Sequence, residues 1–154
     1  YSAATLPAAN IITSATTLKV AFADLVAVYN AVLPAYAQNS SFVVSRDTFS
    51  QLMGLVDTQG RPLMFQDIQN GGVYTIFNRP VLIDHNIPKG DAVGKVQLFF
   101  GDWKRFYQII DREGMTIRQS QERFIENDVT AVVCTKRVDA KVLDVTAMAK
   151  LISK

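Results

Sequence analysis

The sequence predicts an α+β fold in which helices come first and pack on a mixed or antiparallel sheet. Two observations support this prediction. Apolar residues recur at helical spacing up to Val56, and beyond about Val73 they alternate with polar residues, as in half-buried strands. No segment repeats with a period of about 20 to 50 residues, which excludes solenoids and propellers.

Two helices are predicted between residues 17 and 56. The first ends before Pro34, which cannot continue a helix, and its apolar face consists of Leu18, Phe22, Leu25, Tyr29 and Val32. Ser45 is the predicted N-cap of the second helix, whose apolar residues are Phe49, Leu52, Met53 and Val56. A short strand is predicted between them at residues 42–44. Residues 57–60 predict a type I turn, because Asp stands first and Gly fourth.

The second half of the chain predicts mostly strands. Apolar and polar residues alternate over residues 95–100 and 115–118, and turns are predicted at residues 101–102 and 112–114. Residues 129–134 are apolar on both faces, which is typical of a central strand. We therefore expect residues 95–138 to form mostly strands of one sheet. A short C-terminal helix is predicted over residues 144–152 from the spacing of Val145, Met148, Leu151 and Ile152.

Composition excludes several classes of protein. The chain has 154 residues with a net charge of +2, which is too small to indicate a nucleic-acid-binding patch. Charged and polar residues interrupt every apolar stretch before it reaches the length of a membrane span. The single cysteine, Cys134, cannot form an internal disulfide, and no signal peptide opens the sequence. These features are typical of a protein of the reducing cytoplasm.

No catalytic constellation or metal site is evident. His85 is the only histidine, and its neighbour Asp84 cannot easily orient it because adjacent strand residues point to opposite faces. We interpret His85 as a surface or interface residue. Cys134 has apolar neighbours, which favours a packed core or sheet cysteine over a nucleophile. These two residues are too far apart in the sequence, and lack the paired spacing, for a usual zinc site.

The remaining polar features have simple structural interpretations. Asp102, Asp111 and Glu113 are predicted at strand ends, where turn chemistry explains carboxylates better than a catalytic pair does. Residues 70–72 read NGG and lack the pattern of a phosphate-binding loop, so they predict a flexible tip. The sequence therefore predicts no catalytic residues, no cofactor and no metal. A small cytoplasmic enzyme domain that uses His85 or Cys134 remains the least favoured alternative.

Three phrases occur in a fixed order: residues 78–88 read NRPVLIDHNIP, residues 99–103 read FFGDW, and residues 137–144 read RVDAKVLD. Together they resemble the C-terminal half of the Hong Kong 97-type major capsid protein of tailed double-stranded DNA bacteriophages. That family has Gly-x-Pro-Val with an apolar run and Met-Pro, then Gly-Asp-aromatic, then Arg-x-Asp-Gly-x-Val. Asn78 stands where the family usually has glycine, and Ala140 stands where it often has glycine. Because glycine permits a positive φ and alanine does so poorly, the local turn shape is in question at these positions.

The resemblance implies a structural subunit of a phage or prophage icosahedral head. Such subunits assemble with themselves into pentamers and hexamers, which enclose DNA without sequence-specific binding. Assembly takes place in the host cytoplasm and involves no membrane. Scaffold, head protease and portal proteins are possible partners. An encapsulin-like compartment shell is the nearest alternative. By analogy with the family layout, the subunit interface is expected at Asn70, Gly71, Gly72, Tyr74, Asp102 and Trp103.

The resemblance also implies a division of the chain. Residues 1–15 are expected to be a loop from a truncated upstream region, residues 16–135 the axial domain, and residues 136–154 a return segment to the peripheral domain. The family's N-terminal arm, extended loop and spine helix would then be missing. A fragment without them is expected to remain monomeric or weakly associated in dilute solution.

Overall fold

In the described part of the chain, the strands form a seven-stranded mixed sheet and a two-stranded ribbon. The computed structural model describes residues 6–56, 59–67, 72–89, 92–120, 125–128 and 130–154. Contacts divide the chain into two units. The first, here called the sheet unit, extends to Phe106 and resumes at Leu143–Lys154, and the second, here called the ribbon, is Tyr107–Val142. The predicted α+β class with a mixed sheet is confirmed.

Numbered in chain order, the strands are β1 (Ile11–Thr13), β2 (Ser41–Val44), β3 (Phe65–Asp67), β4 (Val73–Ile76), β5 (Arg79–Ile83), β6 (Val96–Gly101), β7 (Tyr107–Ser120), β8 (Ala131–Val142) and β9 (Met148–Ile152). The large sheet has the order β1-β9-β6-β2-β5-β4-β3. Its pairs β1–β9 and β2–β5 are parallel, and the other neighbouring strands are antiparallel.

The helices are α1 (Phe22–Ala31), α2 (Pro34–Ala37), α3 (Arg46–Met53) and α4 (Trp103–Phe106). The predicted cap of α3 is confirmed, since the Ser45 hydroxyl accepts a hydrogen bond from the Thr48 N–H at 3.3 Å. Helix α1 starts later than predicted. The buried Asp24 carboxylate holds the preceding loop by accepting bonds from Ser14 Oγ at 2.9 Å and from the Ala21 N–H at 3.0 Å, which satisfies a free helix N–H.

The core of the sheet unit joins α1 and α3 to the central strands. Phe42 on β2 and Phe100 on β6 are both fully buried, with ring centroids 4.3 Å apart, and the ring of Tyr29 from α1 lies 5.4 Å from Phe100. Strand β2 is buried along its whole length. Further buried side chains of this cluster include Leu25, Val28, Leu52, Val81, Leu98 and Leu151.

The predicted helix over residues 144–152 is wrong. A 3-10 turn at Val145–Ala147 leads into β9, which lies between β1 and β6. A strand with neighbours on both sides and cover on both faces shows no alternation, and Met148, Ala149 and Leu151 are all buried. The spacing of these apolar residues therefore resembled that of a helix although the backbone is extended.

Two further predictions for the second half are wrong. Residues 112–114 do not form a turn, because β7 continues through them with register shifts on either side of Glu113, and glycine within a strand often marks such a bulge. Residues 129–134 do not contribute a buried central strand. Residues 131–134 belong to β8, whose partner strand in the described part of the chain is β7, so residues 95–138 supply strands to two sheets and not to one.

The β4–β5 hairpin turns through Phe77 and Asn78, whose φ angles are 51° and 59°. Both residues lie in the left-handed region that a tight two-residue turn requires. Part of the predicted turn at residues 57–60 lies outside the described residues, and Gly60 has a φ of 77°.

Within the described ranges, no helix is long and apolar enough to cross a membrane.

Candidate subunit-interface surface

The ribbon consists of two long antiparallel strands, β7 and β8. Pairing runs from Tyr107 opposite Val142 to Ser120 opposite Ala131. The extra residues at the two register shifts lie in β7, so β8 keeps its alternation from end to end. Because directly opposed residues point to the same side, the pairing assigns each paired side chain to one of two faces.

One face is mainly apolar, and we call it the apolar face of the ribbon. Its apolar members are Tyr107, Ile109, Ile117, Val132, Cys134, Val138, Ala140 and Val142, and its polar members include Asp111 and Gln119. Ile109 and Ile117 are 64% and 61% exposed, and Val132 is 59% exposed. An ion pair of 3.0 Å between Lys136 Nζ and Asp111 Oδ2 crosses the strands on this same face.

The opposite face is mainly polar. It carries side chains of both charges together with threonines, namely Gln108, Glu113, Thr116, Arg118, Thr135, Arg137, Asp139 and Lys141. Ile110, Ala131 and Val133 are its apolar exceptions. The ribbon is therefore amphipathic along its length, as a sheet is when one face is covered and the other meets water.

No ribbon residue whose burial is described is buried. A two-stranded ribbon is marginally stable in water unless a further element covers its apolar face. Exposed apolar patches of this kind mark interaction sites in folded proteins. The apolar face is thus the candidate functional surface, and the sequence analysis missed it. The alternation of Val132, Cys134, Val138, Ala140 and Val142 was the available signal.

The predicted interface residues lie in two separate places. Tyr74 is on β4, where its ring packs edge-on against Phe49 at 5.1 Å. Gly72 precedes that strand with a φ of 78°, and the predicted Asn70 and Gly71 lie outside the described residues. Asp102 and Trp103 follow β6, and β2 and β5 lie between β6 and β4 in the sheet. The prediction for these residues stays a prediction.

Asp102 and Trp103 have clear structural roles within the sheet unit. The buried Asp102 carboxylate accepts the Lys104 N–H at 3.0 Å and so caps α4. The ring of Trp103 packs edge-on against Phe99 and Phe106, with centroids 6.3 Å away in both cases. These contacts fix the chain at the point where it leaves β6 for the ribbon.

The candidate catalytic residues lie in different elements of the fold. His85 is exposed after β5, as predicted for a surface residue. Cys134 lies on a strand, as predicted, but it is exposed and not packed in a core. Asp111 and Glu113 point to opposite faces of the ribbon. Within the described ranges, no three histidine, cysteine, aspartate or glutamate residues are grouped in a way that could hold a metal ion.

A hydrogen-bonded carboxylate joins α2 to the turn before β9. Asp144 accepts bonds from the Thr146 hydroxyl at 2.6 Å and from the Tyr36 hydroxyl at 2.7 Å. The Thr146 and Tyr36 bonds lower the pKa of Asp144, and the bond to Asp144 together with its negative charge raises the pKa of Tyr36. The stabilisation by Asp144 is present above its unfolded pKa and is lost as the pH falls through the lowered folded value.

Comparisons with known proteins agree with this fold. The model of the Phage capsid family matches residues 3–152. The chain superimposes on the capsid of a native GTA particle with a TM-score of 0.77 and 22% identity, covering 99% of this chain and 52% of that one. A structure from Gordonia phage Cozz gives a TM-score of 0.58 and 17% identity, with coverages of 99% and 52%.

An encapsulin is similar as well. The SrpI encapsulin complex of Synechococcus elongatus PCC 7942 gives a TM-score of 0.63 and 12% identity, covering 96% of this chain and 54% of that one. The chain thus spans about half the length of these solved proteins. No curated protein matches it. Because the family model covers nearly every residue, this chain belongs to the phage capsid family.

Proposed function

We propose that this chain is part of the structural subunit of an icosahedral phage head, without enzymatic activity. The family match over residues 3–152 carries the proposal. The exposed apolar face of the ribbon supports it, because this face has to be covered by other protein. Identical subunits then meet through different surfaces and close into pentamers and hexamers around the DNA.

In such an assembly the protein binds other subunits and catalyses no reaction. Buried area and complementary charges hold the subunits, and the polar face of the ribbon supplies charges of both signs. We propose Asn70, Gly71, Gly72, Tyr74, Asp102 and Trp103 as further contact residues. The division into an axial domain of residues 16–135 and a return segment of residues 136–154 is also a proposal. The boundaries between the sheet unit and the ribbon lie at other points, after Phe106 and after Val142.

The finer setting follows from the same proposal. The protein would be a component of the virion capsid, assembled in the host cytoplasm with scaffold, protease and portal proteins. An encapsulin-like compartment shell is the second candidate, and its support is the similarity to the SrpI encapsulin complex. The contents of purified particles distinguish the two functions, since a phage head contains DNA and a compartment shell contains protein cargo.

Extending the chain upstream is expected to change its state of assembly. We expect the 154-residue chain to remain monomeric or weakly associated in dilute solution, because interfaces below about 1,000 Å² are usually transient. A version extended to the full length of the solved relatives should form capsomers or closed shells. Light scattering and negative-stain microscopy compare the two. An extended protein that stays monomeric with scaffold and protease present would contradict the proposed function.

Adding a charge to the apolar face of the ribbon should prevent assembly of the extended protein. Ile117→Lys places an ammonium group where the partner surface has to be apolar, and we expect at least a roughly tenfold loss of assembled particles. Thr116→Lys is the matched control, because Thr116 is the adjacent residue on the polar face.

Both residues are exposed, so neither substitution should lower the thermal stability of the 154-residue chain appreciably. Sedimentation of the extended protein gives the assembled fraction. Equal assembly of the two variants would show that the apolar face is not a contact of the shell.

A further inference from the structure

A groove in the sheet unit contains a cation, the guanidinium of Arg79. It lies between the end of α1, helix α2 and the start of β5, has a volume of about 310 Å³, and is lined by Tyr29, Asn30, Gln38 and Arg79, among others. None of its lining residues is acidic. Within the described ranges, no carboxylate forms an ion pair with Arg79.

One of the N–H donors of the Arg79 guanidinium has no hydrogen-bond partner in the described part of the chain. Its Nη1 donates a hydrogen bond to the main-chain oxygen of Gln38. Its Nε is shielded from solvent and has no partner within the described part of the chain. A buried donor without an acceptor costs free energy, above all on a charged group. The Nε side of a guanidinium is one of the edges that bind a carboxylate through two parallel hydrogen bonds.

An aromatic cluster continues from this groove. Tyr29 lines the groove and also packs against Phe77 at 5.4 Å, and Phe77 packs against Phe22 at 5.7 Å. Phe22 and Phe77 are 42% and 37% exposed. Phe77 adopts a φ of 51°, which a bulky side chain disfavours and which asparagine or glycine adopts more readily. An aromatic side chain at a strained and exposed position points to a role beyond the turn itself.

We propose that the groove and the aromatic cluster bind a carboxylate-bearing segment of a second copy of this chain. An aspartate or glutamate of the neighbour enters the groove and pairs with Arg79, whose side chain turns slightly so that Nε meets the carboxylate. Phe22 and Phe77 cover the apolar flank of the same segment. Arginine and large aromatic residues are the types that most often anchor protein–protein contacts.

A second copy is the occupant that the proposed function supplies. The chain carries 14 aspartates and glutamates, so an identical neighbour offers carboxylates that complement Arg79. The inference rests on the proposed function, in which copies meet through unlike surfaces at high local concentration. It adds a specific contact on the sheet unit that is independent of the apolar face of the ribbon.

The test uses NMR on the 154-residue chain, because the Arg79 Nε–H group gives its own signal. Unlabelled chain is added to ¹⁵N-labelled chain up to roughly millimolar concentration, where weak contacts become visible. We expect shifts that grow with concentration at Tyr29, Asn30 and Arg79, and that shrink as salt screens the pair. Arg79→Gln in the added and labelled chains should weaken this association at least about tenfold.

Two controls make the result specific. Arg46→Gln removes the same charge from an exposed position at the start of α3 and should leave the association within about twofold. Phe77→Asn keeps a residue suited to the turn but removes the ring, and it should weaken the association without unfolding the chain. Equal association of the Arg79→Gln and Arg46→Gln chains would overturn the proposal.

Sodium acetate distinguishes a general anion site from this contact. If acetate shifts the Arg79 signal but a second copy does not, the assignment of the occupant is wrong. Failure of the extended wild-type protein to form shells would contradict the proposed function. Normal shells from extended Arg79→Gln protein would contradict only the inference about this groove.

Discussion

Replacing Gly101 with alanine is expected to destabilise the sheet unit by about 3 kcal/mol or more. A Cβ at this position would lie 2.7 Å from the Met148 Cα and closer still to the Ala147 carbonyl oxygen. That oxygen cannot move away freely, because it accepts the Asp102 N–H at 3.0 Å. Strands β6 and β9 would have to separate at this end of their pairing, where Gly101 is opposite Met148.

Gly114→Ala is the matched control for this prediction. Gly114 lies in β7, and nothing in the described part of the chain comes within 4 Å of the position that a Cβ would occupy there. Alanine should therefore be neutral or slightly stabilising at this residue. Urea unfolding followed by circular dichroism measures both changes in the free energy of unfolding. A Gly101→Ala chain as stable as the Gly114→Ala chain would mean that β6 and β9 do not pack as closely as described.

Truncating Phe100 to alanine is expected to cost about 3–5 kcal/mol, the usual range for a fully buried phenylalanine. The ring contacts Phe42 and Tyr29, and the residue opposite on β9 is the small Ala149, which cannot fill the space. For a chain of this length we expect the melting temperature to fall by roughly 10 °C.

Phe22→Ala provides the comparison. Phe22 is 42% exposed, so its removal should cost less than half as much as the loss of Phe100. Thermal unfolding of both variants beside the wild type gives the difference directly. If the two truncations had equal effects, the ring of Phe100 would not be at the centre of the core.

Local signals in the sequence were sufficient for several elements of the sheet unit. Ser45 caps α3 as predicted, because capping depends on a few neighbouring residues. The strands at β2 and β6 were predicted, but β6 is buried on both faces and not half-buried as its alternation indicated. The family resemblance, which depends on ordered motifs and not on periodicity, led correctly to the phage capsid family.

The errors occurred where apolarity alone does not reveal which surface covers a residue. Met148 and Leu151 are apolar because β9 is covered on both faces, and their spacing was mistaken for that of a helix. Val132 and Val133 are apolar yet exposed, so the prediction of a central strand assigned them to the wrong surroundings. Apolar residues that a partner protein covers give the same sequence pattern as apolar residues buried in a core.

The position of β9 in the sheet has a consequence for synthesis of the protein. The Asn10 side chain donates to the Met148 carbonyl oxygen across 138 residues of sequence, and within the described ranges β9 is the strand that joins β1 to the sheet. While a ribosome is still translating the ribbon, β6 has an open edge and β1 has no strand to pair with. Such long-range pairing is slow, and open edges attract other chains. The nascent polypeptide therefore passes through an aggregation-prone stage that lasts until β9 has left the ribosome.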